Sequence, residues 1–371
     1  MVKHIFVAAL LFLALAAAAQ PFTGKPQYDI QVKRAGTYVG TIRVELFPAI
    51  APNHVHNFDS LVSEQFYDST AFHRVIPGFM IQGGDPNSRS GPRSTWGMGD
   101  TSQPTVNAEF SAALHKRGIL SAARDVDTNS ANSQFFICVA TASWLNGQYS
   151  VYGRVVSGMN IVDTVVSEPR DSVDNPYLKM EMFVSYVGSN DSAAAVPNLV
   201  SPLDWSFSTS TTRILSWQGT SDGIIYYLEV SDDANFTNMF YSTAVGNTTR
   251  LVSGLAPGTT YYWRVRANNG ADTSAYSVVW HFTTSATDVN EQDVQNLINV
   301  SPNPSAGQFT FGNVTPGNTI EIFDLTGKQV TSTVATRSDC TIDLTAYSKG
   351  VYLYVIRDET ESVQQGKLIV E

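Results

Sequence analysis

The stretch FHRVIPGFMIQGGD, residues Phe72–Asp85, is the densest in the 371-residue sequence. It sets an arginine, two large apolar side chains and an amide (Arg74, Phe79, Met80 and Gln82) within nine residues. Read as extended chain, Arg74, Ile76, Met80 and Gln82 share one parity, with Pro77–Gly78 placed to break the run. Two further clusters follow: SQFFI at Ser133–Ile137, and WLNGQY at Trp144–Tyr149 with VYG at Val151–Gly153. Sequence alone does not close these clusters into one pocket.

Working outward, Tyr38–Phe47 alternates Ile42, Val44 and Leu46 against Thr41, Arg43 and Glu45, the pattern of a half-buried strand. Pro52–Val62 sets Val55, Phe58, Leu61 and Val62 on one helical face, with the proline tolerated in the first turn. Asn160–Val166 repeats the helical pattern with Ile161, Val162 and Val165, and Pro169 ends it. Ser133–Val139 reads as an apolar strand. After Ser189–Ala193 the helical pattern stops. Residues 196–285 hold short alternating runs at regular spacing, which predict a β-sandwich. A polar acidic linker is expected over residues 286–295. Residues 296–371 return to short strands and turns, with Asn303–Pro304, Gly307 and Thr326–Lys328 as turn signals. The expected fold class is a mainly β, multi-domain chain.

Charged residues are only 15% of the chain, and the formal net charge is −10. Phosphate binding needs clustered Lys and Arg, so a nucleic-acid partner is disfavoured. The 11% aromatic content argues against disorder. Block 26–189 carries 12 basic and 15 acidic residues, while the chain from residue 190 onward carries 9 and 18, so most of the acidity lies in the back half. Residues 1–20 show Lys3, an apolar run from Ile5 to Leu15 and then small alanines, the order of a secretory signal peptide. No other stretch could span a bilayer, so no transmembrane segment is expected after signal removal. Two cysteines, Cys138 and Cys340, exclude a disulfide-stapled scaffold and are read as unpaired.

On these motifs, residues 26–189 resemble a cyclophilin, a peptidyl-prolyl cis/trans isomerase. FHRVIPGFMIQGGD is nearly the family signature, and SQFFIC and WLNGQYSVYG follow in the family's order and spacing. The resemblance implies a closed antiparallel β-barrel with two helices. It implies a catalytic set of Arg74, Gln82, Phe79, Phe136, Trp144 and Tyr149. It adds His73, Met80, Ala123, Arg124 and Leu145 as substrate-binding residues, with proline-containing peptides as partners. No cofactor or metal is expected.

The chemistry suits these residue types. Amide resonance puts a barrier of ~18–20 kcal/mol on peptide-bond rotation. For X–Pro bonds cis and trans differ by only about 0.5–1 kcal/mol, so a catalyst need only stabilise the twisted amide. The pyramidal prolyl nitrogen can accept a hydrogen bond, and a permanently charged guanidinium can donate one. Departures from the family pattern are Tyr149, where many members have histidine and several bacterial members have tyrosine, and Ala122, where methionine is common. The loop Pro86–Pro104 also diverges, and is rich in Gly, Ser and Arg.

Plainer readings stand beside these. Arg74 alone would be a structural ion-pair residue, and Phe79, Met80 and Phe136 plain core. His73 is given a structural or orienting role, because the reaction moves no proton. His54 and His56 are two apart on a helix and do not share a face. Asp125, Asp127 and Asn129 mimic the start of a calcium loop, but Ser130 and Phe136 occupy positions that need Gly and Glu, so a turn is expected. Cys138 reads as a buried small hydrophobe, and Gly83–Gly84 as a turn.

Residues 196–285 resemble a fibronectin type III module, on RILSW with Trp217 and on LAPGTTYYWRVRA with Tyr261 at the tyrosine-corner position. Residues 296–371 resemble the carboxy-terminal sorting domain of type IX secretion substrates. The strings are SPNP at Ser301–Pro304 with Gly307, IEIFDLTGK at Ile320–Lys328, GVY at Gly350–Tyr352 and KLIV at Lys367–Val370. That resemblance implies the type IX secretion machinery as a partner. It also implies passage through the periplasm of a Gram-negative bacterium, to release or to outer-membrane surface attachment. The rival reading is a surface or extracellular proline-peptide binding or adhesion protein with little turnover.

Overall fold

The computed structural model describes residues 22–208, 210–285, 298–325, 328–357 and 362–371. The expected signal peptide, the linker at 286–295 and the Thr326–Gly327 part of one turn lie outside these residues. The chain divides into two compact units, one ending at Ala286 and the other starting at Thr287.

The first unit opens with eight strands: β1 (Lys25–Arg34), β2 (Thr37–Leu46), β3 (Thr70–Ile76), β4 (Met80–Gly83), β5 (Ile119–Ala122), β6 (Phe135–Cys138), β7 (Val151–Ser157) and β8 (Met180–Asn190). They close an antiparallel barrel in the order β1-β2-β7-β5-β6-β4-β3-β8. Side chains alternate across a strand, so every second residue faces the interior. Tyr28, Ile30 and Val32 of β1 and Ile42, Val44 and Leu46 of β2 are fully buried. On the other face of the same pair Arg43 meets Asp29 at 2.7 Å, in register across the two strands.

Two helices join this core. The first, α1 (Pro52–Ser63), has proline in its first turn and buries His54, Val55, Phe58 and Val62. Phe58 meets Tyr28 at 5.2 Å and Phe135 at 5.7 Å, both edge-on, an arrangement that suits the ring quadrupoles, and lies tilted against Tyr67 at 5.0 Å. After the short α2 (Asn87–Ser90), α3 (Met159–Val166) buries Val162, Val165 and Val166. The mainly β fold with a closed barrel and few helices is the expected one. Leu61 and Ile161 are only partly buried, at the edges of their apolar stripes.

His73 departs from its expected place with the substrate-binding residues. The β3–β4 register shifts between Phe72 and Arg74, and His73 is covered by the divergent loop, beside Gln134. Its side chain is 3% exposed and lies beneath Gly97. Neither ring nitrogen has a well-formed hydrogen bond, although the Ala71 backbone and the Gln134 amide are near. Burial lowers its pKa from 6.5 to about 4. Gly83–Gly84 also differs from a plain turn: Gly83 completes β4, pairing with Phe72 and Phe135, and only Gly84 turns.

Eight further strands follow in the same unit: β9 (Asn198–Ser201), β10 (Ser206–Ser208), β11 (Arg213–Gln218), β12 (Ile225–Ser231), β13 (Met239–Val245), β14 (Thr249–Val252), β15 (Thr260–Asn268) and β16 (Trp280–Thr284). They form a three-stranded and a five-stranded sheet sharing one core, with Trp217 and Trp263 inside. The Tyr261 hydroxyl accepts the Ala256 backbone N–H at 2.9 Å, which ties down the inter-sheet turn.

This sandwich is docked on the barrel. Phe47, Ala113, Ile119 and Val151 from the barrel and Ile225 from the sandwich form one buried apolar cluster. Ala49 N–H donates to the Gly270 carbonyl at 2.8 Å. Gly270 has φ +97°, and a Cβ there would lie 2.3 Å from the Phe47 ring, so only glycine fits.

The second unit packs a sheet of β17 (Asn299–Ser301), β18 (Gln308–Gly312) and β21 (Cys340–Asp343) against one of β19 (Thr319–Phe323), β20 (Gln329–Val334), β22 (Gly350–Arg357) and β23 (Ser362–Val370). Phe309, Phe311, Ile320, Ile322 and Leu368 fill the space between. The Asn303 side chain donates to Lys367 O at 2.7 Å and accepts from Ile369 N at 2.9 Å, which joins the SPNP and KLIV strings.

Two measurements check these packing statements. Ile225→Ala removes a buried side chain at the junction and is expected to cost about 2–4 kcal/mol. Amide exchange at Phe47, whose N–H donates to Tyr152 O within the barrel, should speed up accordingly; unchanged exchange there would mean that the sandwich does not brace the barrel. The second concerns His73. Between about pH 6.5 and 4 the unfolded chain takes up a proton that the folded chain refuses, so folding stability falls as pH falls through that window. Over pH 7 to 4 the native chain is expected to lose about 3 kcal/mol more stability than a His73→Gln variant, read from urea unfolding midpoints.

Candidate active site

The site lies on the outer face of the strands whose inner face makes the barrel core. In β3, Val75 points in while Arg74 points out; in β4, Ile81 points in while Gln82 points out; in β6, Phe135 and Ile137 point in while Phe136 points out. Pro77–Gly78 ends one strand and starts a hairpin, with Gly78 at φ +75°. The antiparallel register then sets Arg74 opposite Gln82, Gln82 opposite Phe136, and Phe136 opposite Ser121. Adjacent strands are ~4.8 Å apart, so this row brings a cation, an amide and an aromatic ring within one short span.

Beside the row lies an apolar cluster. Met80, Ala123, Phe136, Cys138, Ala142 and Leu145 are buried together, with Ile76, Phe79 and Tyr149 packed against them. Burial pushes the Cys138 thiol up to about 12, so it remains a neutral apolar filler there. Trp144 stands at the rim, 58% exposed, its ring 5.5 Å from that of Phe79. Tyr149 meets Phe136 edge-on at 5.8 Å.

Arg74 is exposed, and its Nη1 lies 3.5 Å from Gln82 Oε1. Gln82 Nε2 donates to Gln134 Oε1 at 3.0 Å, and Gln134 donates in turn to the Gly97 carbonyl at 3.3 Å. The relay ties the row to the divergent loop. A groove of about 540 Å³ continues from it, lined by Gln82, Met98, Asp100, Ala123, Arg124 and Gln134 among others. Arg124 is a wall of this groove: its guanidinium lies 4.4 Å over the Tyr149 ring and donates to the carbonyls of Asp125 and Gln148 at 2.7 and 3.1 Å.

Apart from His73, the site residues read from the sequence therefore gather on one face. Three supporting residues were not singled out. Gln134 lay inside the quoted SQFFI string, but nothing in that string marked its amide. His115 is fully buried and stacks on Phe136 at 6.1 Å and 16°. Its ring nitrogens lie 3.2 Å from Asn146 Oδ1 and 3.1 Å from Ser121 Oγ, and burial lowers its pKa, which favours the neutral ring. Asp174 reaches the row from a loop a hundred residues downstream of Arg74. None of the three has a local sequence signal.

Elsewhere, His54 pairs with Glu109 at 2.7 Å and His56 lies tilted against Phe22 at 4.8 Å, so the two turn to different neighbours. Asp127 Oδ1 accepts the Asn129 N–H at 2.9 Å, closing a turn. Among the described residues no group of three or more His, Cys, Asp or Glu side chains is placed to hold a metal ion, and no helix is long and apolar enough to cross a membrane.

Comparison with known proteins agrees with this geometry. Residues 28–185 match the cyclophilin type peptidyl-prolyl cis-trans isomerase/CLD family, and residues 299–371 match the secretion system C-terminal sorting domain. A probable peptidyl-prolyl cis-trans isomerase of Brucella suis is 40% identical over 162 residues, which is 43% of this chain and 81% of the relative. A peptidyl-prolyl cis-trans isomerase of Acinetobacter baylyi is 39% identical over 138 residues, 36% of this chain and 70% of the relative. With the barrel, the outward row and relatives matched over most of their length, this chain belongs to the cyclophilin-type peptidyl-prolyl cis-trans isomerase family.

Proposed function

We propose that this protein accelerates rotation about X–Pro bonds in protein substrates, and that it does so outside the cytoplasm. The observation that carries the first part is the Arg74 guanidinium held beside Gln82 at the mouth of an apolar pocket. Met80, Phe136 and Leu145, with Phe79 at the edge, grip the proline ring by burying its apolar surface. With the ring held, the acyl side of the bond turns. As conjugation breaks, the prolyl nitrogen gains a lone pair, and Arg74 donates a hydrogen bond to it. That bond is much weaker to the planar amide, so it stabilises the transition state over both ground states. Gln82 orients Arg74 and binds the substrate backbone. Trp144 closes the rim with its indole, and the Tyr149 hydroxyl reaches for a substrate carbonyl. Ala123 and Arg124 line the path of the residues before the proline. No step needs a nucleophile, a proton transfer or a cofactor.

The second part rests on the tail. A sorting domain of the type IX kind implies transfer across the outer membrane after passage through the periplasm, with Lys3 and the apolar run after it as the signal that starts export. We assign residues 1–20 to that signal, 26–189 to the isomerase, 196–285 to a module of fibronectin type III character, 286–295 to the linker and 296–371 to sorting.

In a protease-coupled assay on an Ala-Pro peptide, the full chain is expected to be active and Arg74→Ala to lose about a hundredfold or more in kcat/KM, the scale of one lost charge-assisted contact in a transition state. Full activity in that variant would overturn the mechanism, and tight binding of proline peptides without rate enhancement would favour the adhesion reading. For location, whole-cell antibody labelling is expected to detect the complete chain outside the cell. It should find a variant lacking residues 296–371 retained within the envelope.

A further inference from the structure

A carboxylate outside the expected set faces the arginine. The loop Arg170–Tyr177 folds back over β3, and the Asp174 carbonyl accepts the Val75 backbone N–H at 2.9 Å. This pins Asp174 beside the residue that follows Arg74. The loop is itself clamped. Asp171 Oδ1 accepts the N–H groups of Val173 and Asn175 at 3.0 and 2.9 Å, and Arg93 donates to the carbonyls of Tyr177 and Asn175 at 2.9 and 3.0 Å. Asp174 sits at φ +65°, a left-handed conformation that Asp and Asn tolerate better than other side chains. Its two carboxylate oxygens are divided between two cations: Oδ1 is 3.2 Å from Arg170 Nε, and Oδ2 is 4.0 Å from Arg74 Nε.

Arg74 is thereby held on two sides. Its Nε faces Asp174, its Nη1 faces Gln82 Oε1 at 3.5 Å, and the remaining amino group is left for the substrate. A guanidinium on an exposed strand position would otherwise spend its time among several rotamers, and each misdirected one is lost to catalysis.

We propose that Asp174 is a positioning residue for the isomerisation, aiming Arg74 at the prolyl nitrogen. This rests on the isomerase reading. The carboxylate acts through the arginine and does not touch the substrate. Arg170 buttresses it from the far side.

Asp174→Asn in the full chain tests this, because asparagine keeps the shape and the left-handed backbone while removing the charge. In the peptide assay kcat is expected to fall about threefold to tenfold with KM within about twofold, and the thermal midpoint should hardly move, because the pair is open to solvent, Arg74 at 44% and Asp174 at 33% exposure, and contributes little to stability. Asp174→Glu, which keeps the charge, should recover part of the loss. Added salt screens an exposed pair, so wild-type kcat should drift toward the variant's value as ionic strength rises while the variant stays flat. An unchanged kcat in Asp174→Asn, or the same salt response in both proteins, overturns the proposal. Should Asp174→Asn fail to fold, the salt response of the wild type alone decides it, a flat response overturning the role. A wild-type chain without isomerase activity is a different result, and sinks the functional reading instead.

Discussion

The cross-strand register of β3, β4 and β6 is the constraint on which the rest depends. It places Arg74 opposite Gln82 and Gln82 opposite Phe136. A slip of one residue would turn each of these side chains into the barrel and send Val75, Ile81 and Ile137 out to solvent. The register is therefore held by the burial of the core residues on the inner face. Core packing and site geometry are two faces of one pleat, which is how a barrel packed with apolar side chains can hold a precise outer surface.

The supports are arranged around that row in layers. Gln134 couples Gln82 to the Gly97 carbonyl, and so brings the divergent loop into line. His115 backs the Phe136 ring from within. The segment that carries His115 also supplies Ala113 and Ile119 to the apolar cluster shared with the sandwich. The second module is thus continuous with the packing behind the site, and a picture of independent beads does not describe the first unit. The second unit has its own core, and its two terminal strings are knitted together by Asn303.

Much of this was legible in the sequence. The alternation in Tyr38–Phe47 and the helical stripe of Pro52–Val62 became β2 and α1 nearly residue for residue. The shared parity of Arg74, Ile76, Met80 and Gln82 survives, but across a hairpin: Pro77–Gly78 supplies the turn, and the outward residues meet face to face on two strands. The structural reading of His73 fits its burial beneath the divergent loop, while a place against the substrate does not follow from it, and no spacing rule announces the bulge beside it. Asp174, His115 and Gln134 were passed over because their roles come from neighbours distant in sequence.

By itself the sequence determined the order of the parts, the alternation that builds each strand and the chemical set that a prolyl-isomerase site requires. These are local properties, written in side-chain periodicity and in a dense motif. Only the tertiary structure decided which clusters share a face, which way His73 points, that the sandwich docks on Phe47, and that a carboxylate from a clamped loop reaches Arg74. Those depend on strand register and on contacts between segments far apart in the chain, where the deciding free energy lies in packing that no local pattern records.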